Sequence, residues 1–554
     1  MRLNLMSPEV KLLNCPIFTL NMMYMSSDCL TFRETNRFSK LICDYTESHP
    51  DLMPYFNRPF HFESFLPQMT EKSLNYYPSN RQVLVDVLKQ QYENISITSA
   101  TSDNIDALLS DNTFTVTTGH QLNLFTGPLY FWYKIIDTIK LAHHLSSQHP
   151  VNKTIPLFWM ATEDHDFEEI SHFNVTKGRI QWDGINKGSV GRRSLKGLSD
   201  LIDVLSKNLE NGPHRDDLFT LFENAYSDHS KLSDATRFLV NELFGEDGLV
   251  ILDADHPNLK RLFVPFLKDE LLHQTAFDAI EETSAKLATH YHKQVNPRRI
   301  NLFYLTQDSR VRIERQGQVY VTTCGQYRWS ENEMIEHLES HPEHFSPNAL
   351  LRPLYQEVIL PNICYVGGGA ELAYWLQLKT YFESQSITFP ILKVRNSALL
   401  VTEKQWLKWN KFGLMLADYL LPLDDLTKRL IVQFDETRPN FENLYEQLDA
   451  QFSVLKDHAK STDPSFTSAV EAQMAKQTKG LQNLEKRWRR AQKKTHAKVL
   501  ERLKDNFLQV NPEGHLQERY LNFCQFYVDL GPKLKNHLFS RIDPMYQRFY
   551  ILKL

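Results

Sequence analysis

The run Glu163-Asp164-His165-Asp166, followed by Glu168 and Glu169, crowds carboxylates around a single imidazole. Such a group can hold an ammonium, move protons or bind a divalent cation. Acids this close repel one another and call for a cation or a proton nearby. The ordinary alternative is a helix start decorated with acids, which the helix dipole favours. Glu163, Asp164, His165 and Asp166 are therefore the candidate catalytic residues.

Three further stretches could bind a substrate or a nucleotide. The first, Thr118-Gly119-His120-Gln121 through Thr126-Gly127-Pro128-Leu129-Tyr130, joins a strand-like run to a helix. A helix N-terminus offers free N–H groups and a positive dipole end, Gly127 would permit close backbone approach, and Pro128 suits a first turn. The second, Gly367-Gly368-Gly369-Ala370-Glu371 with Tyr374, is a wall without side chains. It lacks both the G-x-G-x-x-G spacing and the P-loop pattern. In the third, Lys393-Val394-Arg395-Asn396, the cations could meet a phosphate or carboxylate, or could cap the sheet edge. Gly119, His120, Gln121, Thr126, Gly127 and Tyr130 are candidates in the first stretch. Gly367, Gly368, Gly369, Glu371 and Tyr374 are those of the second, and Lys393, Arg395 and Asn396 those of the third. No metal site is assigned: the acidic cluster has one histidine and no H-E-x-x-H spacing.

These stretches share a setting. Each follows a short apolar run, at 113–118, 155–162, 362–366 and 389–394, and helical period resumes after it. Strand, turn, helix, strand is the signature of a parallel sheet, and open α/β sheets bind ligands at the carboxyl ends of their strands. The expected fold class is α/β, a doubly wound core over about 30–400 interrupted by insertions around 170–245 and 270–345. From 402 to 554 the pattern reads as all helical, with a hairpin at 437–509 broken at Asp463-Pro464 and a seam through Leu444, Leu455, Leu484 and Trp488. The basic run Lys486 to Lys494 reads as the solvated flank of that seam. Residues 1–29 read as a disordered extension.

The chain has 554 residues, 42% hydrophobic and 23% charged, a globular composition with room for two or three folded units. A net charge of -5 gives no chain-wide basic excess for nucleic acid. No apolar run is long enough for a bilayer, and no secretory signal is evident. The six scattered cysteines read as reduced thiols of a cytoplasm. Neither nucleic acid nor membrane is an expected partner, and a homo-oligomer is compatible with the helical region.

The strings TGHQLNLFTGPLYFWYKIIDTIKLA (118–142), PLFWMATEDHDFEEI (156–170), VGGGAELAYWLQLK (366–379) and LQERYLNF (516–523) resemble the bacillithiol biosynthesis cysteine-adding enzyme family, the cysteine ligases of that pathway. Lesser matches lie at 248–263 and 345–357, so the resemblance runs from about residue 30 to the end. It implies a Rossmann-like, nucleotidyltransferase-like core with inserted connecting segments and a C-terminal coiled coil. It also implies the small-molecule substrates cysteine and glucosaminyl malate, joined through an amide in the last step of bacillithiol synthesis. His120 stands where glutamine is more usual. The core is similar to class I aminoacyl-tRNA synthetases, whose H-x-G-H string corresponds to Phe125-Thr126-Gly127-Pro128: the glycine is kept and both histidines are absent.

A free carboxylate is a poor electrophile, so a ligase normally activates it, and ATP is the expected source. The acidic cluster would then hold the ammonium of cysteine or deprotonate the sugar amine, with Lys393 and Arg395 on the phosphates. Two other readings stay open: another nucleotide-dependent ligase or transferase on the same core, and a non-catalytic scaffold whose coiled coil docks a partner.

Overall fold

The computed structural model describes residues 29–184, 188–434 and 439–554. Apart from Cys29, the N-terminal extension read as disordered lies outside them. Contacts divide the chain into two compact units. One runs to Leu400 and takes back Leu516–Leu552, and the other is Val401–His515.

The first unit is built on five parallel strands: β1 (Thr113–His120), β2 (Lys153–Met160), β3 (Val250–Asp253), β4 (Asn362–Gly367) and β5 (Ile391–Val394), in the order β5-β4-β1-β2-β3. Every residue of β1 is buried, so its β-branched run reads as continuous rather than alternating, as a strand covered on both faces requires. Pro156 sits inside β2 without an N–H to donate. It pairs with Val116 on one side, and β3 begins only opposite Leu157. Strand order reverses between β1 and β4, and the crevice at their carboxyl ends is the topological switch point.

Helix α1 (Tyr130–Gln148) crosses from β1 to β2 and is buried nearly all round. Two charged side chains, Lys134 and Asp137, are buried with it, and burial without partners would be costly. Lys134 pairs with Glu371 and Asp137 with Lys393, so two ion pairs tie α1 to the far side of the switch point.

Both expected insertions are present. The first holds the hairpin 172–175/178–181 and helices at 199–208, 215–227 and 232–244. The second follows α2 (Pro257–Leu272) and carries a five-stranded antiparallel sheet within residues 302–347. A short helix that opens on glycine, α3 (Gly369–Trp375), follows β4.

The second unit contains α4 (Leu423–Phe434), α5 (Phe441–Ala459), α6 (Pro464–Thr495) and α7 (Ala497–Val510). Asp463 caps α6 and Pro464 occupies its first turn, which sets the hairpin bend. Phe452, Ala459 and Val470 form the buried end of the seam, with Leu448 and Met474 packed on them. Leu444, Leu455 and Leu484, expected inside it, are 39–58% exposed. The expectation of one helical stretch from 402 to 554 is corrected at its end. Residues 516–552 belong to the first unit, and Phe549–Lys553 is a strand lying between Cys29–Leu30 and Ser397–Val401. Among the described residues no helix is long and apolar enough to cross a membrane.

Candidate active site

At the switch point the carbonyl of Gly119 accepts a hydrogen bond from Lys134 Nζ at 2.8 Å, and the same ammonium pairs with Glu371. Tyr365 at the end of β4 donates its hydroxyl to the other Glu371 oxygen at 2.8 Å. Burial pulls the Lys134 ammonium below the usual lysine range, and Glu371 works against that shift. A Cβ on Gly119 would come 3.2 Å from the Tyr365 hydroxyl and 3.8 Å from Arg352 Nη1, so glycine keeps this crevice open. Gly367 and Gly369 are held by packing: a Cβ would meet Leu372 at 2.7 Å in one case and Ile42 at 3.0 Å in the other. Gly368, between them, would meet only Glu371 at 3.5 Å, an ordinary contact.

Arg352 stands over the rings of Tyr365 and Trp159, with Tyr374 beside it. Its Nη1 donates to Gln356 at 2.9 Å, while Nη2 is buried and finds no acceptor among the described residues. His120 is 9% exposed, and its Nδ1 accepts from the Gln121 N–H at 2.9 Å. The ring proton therefore resides on Nε2, which also has no partner among the described residues. Burial, reinforced by Lys134 and Arg395, holds this imidazole neutral, well below the ordinary histidine range. Further along the same loop, Asn123 Oδ1 and Thr126 Oγ1 are buried without partners among the described residues, and Phe125 and Thr126 adopt φ of 50° and 69°. Unmet polar atoms and left-handed backbone cost energy that a fold normally avoids, and both concentrate at functional sites.

Gly127 is placed differently from expectation. Its φ is 65° and a Cβ would lie 2.6 Å from Asn123 Cβ, so glycine is required by the turn itself. The start of α1 is not open to a phosphate. The Leu129 N–H donates to Leu521 O at 2.8 Å, and Asn522 Nδ2 donates to Phe125 O and Gly127 O at 2.8 and 2.6 Å. Residues 521–522 of the chain thus take up the Leu129 N–H and the Phe125 and Gly127 carbonyls at this turn.

The third basic stretch is likewise committed to the fold. Lys393, fully buried, donates to Asp137 at 2.9 Å, and Asn396 Nδ2 donates to the same carboxylate at 2.8 Å. Arg395 makes a two-pronged bond to Glu518 at 2.8 and 2.9 Å and covers the ring of Tyr130. The phosphate-binding role expected of Lys393 and Arg395 is corrected: with both charges already paired inside the core, neither is free for a ligand. Tyr130 still reaches the crevice rim, its phenol pushed up to about 12 by burial and the Glu371 charge.

The acidic cluster does not converge on one point. Glu163 turns toward β3, where Lys260 Nζ lies 2.6 Å from it and 3.0 Å from Asp255. Asp164 accepts from Gln121 Nε2 at 2.6 Å and from the His165 N–H at 2.7 Å. Burial opposes ionisation of Asp164, but His165, Gln121 and Arg310 outweigh it and hold its carboxyl well below the usual range. The His165 ring accepts from Arg310 Nη1 at 3.0 Å, toward the antiparallel sheet. Asp166 caps the short helix Phe167–Ile170. Asp164 thus borders the β1 loop through Gln121, while Asp166 serves the local fold. Among the described residues no group of histidine, cysteine and carboxylate side chains is arranged to hold a metal ion.

Sequence reading missed Lys134, Tyr365 and Arg352. Lys134 carried a signal, a lysine inside an otherwise apolar helix. Tyr365 and Arg352 carried none, because an arginine preceding a proline and a tyrosine within a strand are ordinary.

Residues 25–396 match the family model described as "Bacillithiol biosynthesis BshC, N-terminal Rossmann-like domain", and residues 398–554 the model of its C-terminal coiled-coil domain. Among curated proteins the chain is 45% identical over 528 residues to one from Flavobacterium johnsoniae, covering 95% of this chain and 100% of the relative. It is 45% identical over 534 residues to one from Christiangramia forsetii (95% and 99% covered) and 34% identical over 525 residues to one from Cytophaga hutchinsonii (94% and 97%). All three carry the name "Putative cysteine ligase BshC".

Proposed function

From its membership of the BshC family of bacillithiol biosynthesis, to which this chain belongs over both its Rossmann-like and its coiled-coil parts, we propose that it is a cysteine ligase. It joins the carboxyl group of cysteine to the amine of glucosaminyl malate and so forms bacillithiol. The observation that carries the placement of this chemistry is the group of polar atoms left unmet among the described residues along the loop after β1, His120 Nε2, Asn123 Oδ1 and Thr126 Oγ1, with Arg352 next to Gly119 at the switch point.

Forming an amide from a free carboxylate requires a leaving group better than oxide, and a nucleoside triphosphate would supply it. Two N–H groups without acceptors among the described residues, Arg352 Nη2 beside Gly119 and His120 Nε2 on the β1 loop, are donors that an anionic group could use. Lys134 fixes the Gly119 carbonyl and Glu371 so that the crevice keeps its shape before substrate arrives. Asp164, held ionised, provides the negative charge that an ammonium needs at the adjoining edge.

The test is incubation of the purified chain with cysteine and glucosaminyl malate, with each nucleoside triphosphate in turn and with none. Bacillithiol is read by mass spectrometry, and small thiols are compared in cells with and without the gene. Product formed only with a nucleotide supports the full reading. Product formed without one removes the nucleotide, and absence of product under every condition overturns the ligase assignment.

A further inference from the structure

A second pocket, of about 260 Å³, opens beside the end of β3 and is lined by Thr162, Arg192, Lys231, Ser233, Asp253 and Asp255. Its size lies just under the ~300–1,000 Å³ of small-molecule sites, room for one substituted ring. Gly191 closes its wall, where a Cβ would come 2.5 Å from Thr162 Cβ.

The charges around it are unevenly matched. Asp255 is gripped by Arg192 at 2.8 and 2.9 Å and by Lys260 at 3.0 Å, and Lys260 also takes Glu163. Asp253 has no cation within ion-pair distance among the described residues. Its Oδ1 accepts from the Thr162 hydroxyl and, at 3.0 Å, from the Asp255 N–H. Its Oδ2 accepts nothing among the described residues, although the side chain lines the pocket. An independent observation points the same way. Ser233, 5% exposed and lining the pocket, makes no side-chain hydrogen bond among the described residues. Lys231 at the rim likewise forms no ion pair among them. The Asp253 oxygen and the Ser233 hydroxyl face the pocket without a partner among the described residues, so both are available to a polar ligand there.

We propose that this pocket binds a primary ammonium carried on a hydroxylated, carboxylate-bearing body, with Asp253 Oδ2 receiving the ammonium, Ser233 a ring hydroxyl and Lys231 the carboxylate. Resting on the ligase reading, the ligand is the amino-sugar substrate, and the pocket is where its amine is selected. Burial and the neighbouring Asp255 push the Asp253 carboxyl above the usual range, a tendency that an arriving ammonium would reverse.

Calorimetric titration of the full chain with glucosaminyl malate and with its N-acetylated form tests this. The wild type binds the free amine at least about tenfold more tightly, since a hydrogen bond to a charged group is worth ~1.5–3 kcal/mol. In Asp253→Asn that preference disappears. In Ser233→Ala both ligands weaken together and the preference stays. Thermal unfolding of each variant checks that the fold persists. Equal binding of the two ligands by the wild type, no binding of either, or an undiminished preference in a folded Asp253→Asn overturns the proposal. Turnover measured in parallel separates the two readings. Bacillithiol formation with an unchanged preference in Asp253→Asn sinks the pocket and leaves the ligase. Amine selection without turnover sinks the ligase and leaves the pocket.

Discussion

The side-chain amide of Asn522 donates to the carbonyl of Gly127 at 2.6 Å, so residues 395 positions apart close the turn that opens the first crossover helix. Asn522→Ala leaves this carbonyl and that of Phe125 without their donor inside the core. The expected loss is about 2–6 kcal/mol, at ~1–3 kcal/mol for each of the two buried carbonyls left unmet. Thermal unfolding reads it. Turnover per folded molecule falls as well, because the released turn carries Thr126.

Lys134→Met strands the Glu371 carboxylate, which is 27% exposed and keeps the Tyr365 hydroxyl, and is expected to cost less than the ~3–5 kcal/mol of a half-broken, fully buried pair. A double variant, Lys134→Met with Glu371→Leu, recovers most of that stability and none of the activity. Recovery of bacillithiol formation by the double variant would show that the pair serves folding alone.

Asp164→Asn is expected to lower bacillithiol formation by about 100-fold or more, in the range of a lost acid-base or charge-pairing group. Its side chain is 29% exposed, which limits the stability loss to about 1 kcal/mol. Because folding depresses this carboxyl, its contribution is present at neutral pH and fades as pH falls below the ordinary carboxylate range. Full turnover in the variant would remove Asp164 from the site.

Lys393→Met is expected to destabilise by about 3–5 kcal/mol through the uncompensated Asp137 charge, and to leave turnover per folded molecule unchanged. A specific loss of turnover with an unaltered melting temperature would restore the phosphate-binding role that the sequence suggests.

Glu270 is buried, accepts from the N–H and side chain of Asn301, and has one oxygen without a partner. Burial is the main cause that pushes its carboxyl up to about 8, against the Asn301 bonds. A raised carboxyl favours the folded state fully below the unfolded value of about 4.3, and this benefit is lost as pH climbs toward 8. Melting temperature should therefore decline between those limits in the wild type. The Glu270→Gln variant should show a flatter profile and a higher melting temperature at pH 8. Parallel profiles for the two proteins would exclude Glu270 as the source.

The sheet was legible because β1, β2, β4 and β5 are continuous apolar runs that end in turn residues, a pattern set by burial on both faces. The helical hairpin was legible for the same kind of reason. The partners of the charged residues were not. Lys393 looks like a loop cation in one dimension, and only the arrival of α1 beside β5 gives it Asp137. Neighbours such as Glu163 and Asp164 read as one cluster, yet successive side chains leaving a strand end point different ways, one to Lys260 and the other to Gln121. The closing strand Phe549–Lys553 is five residues long and has no period of its own that a helical reading could not absorb.

That strand and residues 516–552 make the first unit discontinuous in the chain. During synthesis, the segment from Val401 to His515 must be translated before these residues exist, a delay of roughly ten seconds at ~5–20 residues per second. Until then the α1 turn lacks Asn522 and Arg395 lacks Glu518, so a half-made core waits with a buried guanidinium and two carbonyls exposed. A nascent chain in this state is a natural client for chaperones, and a frameshift or stop codon after His515 would spoil the sheet-bearing unit rather than merely shorten the protein.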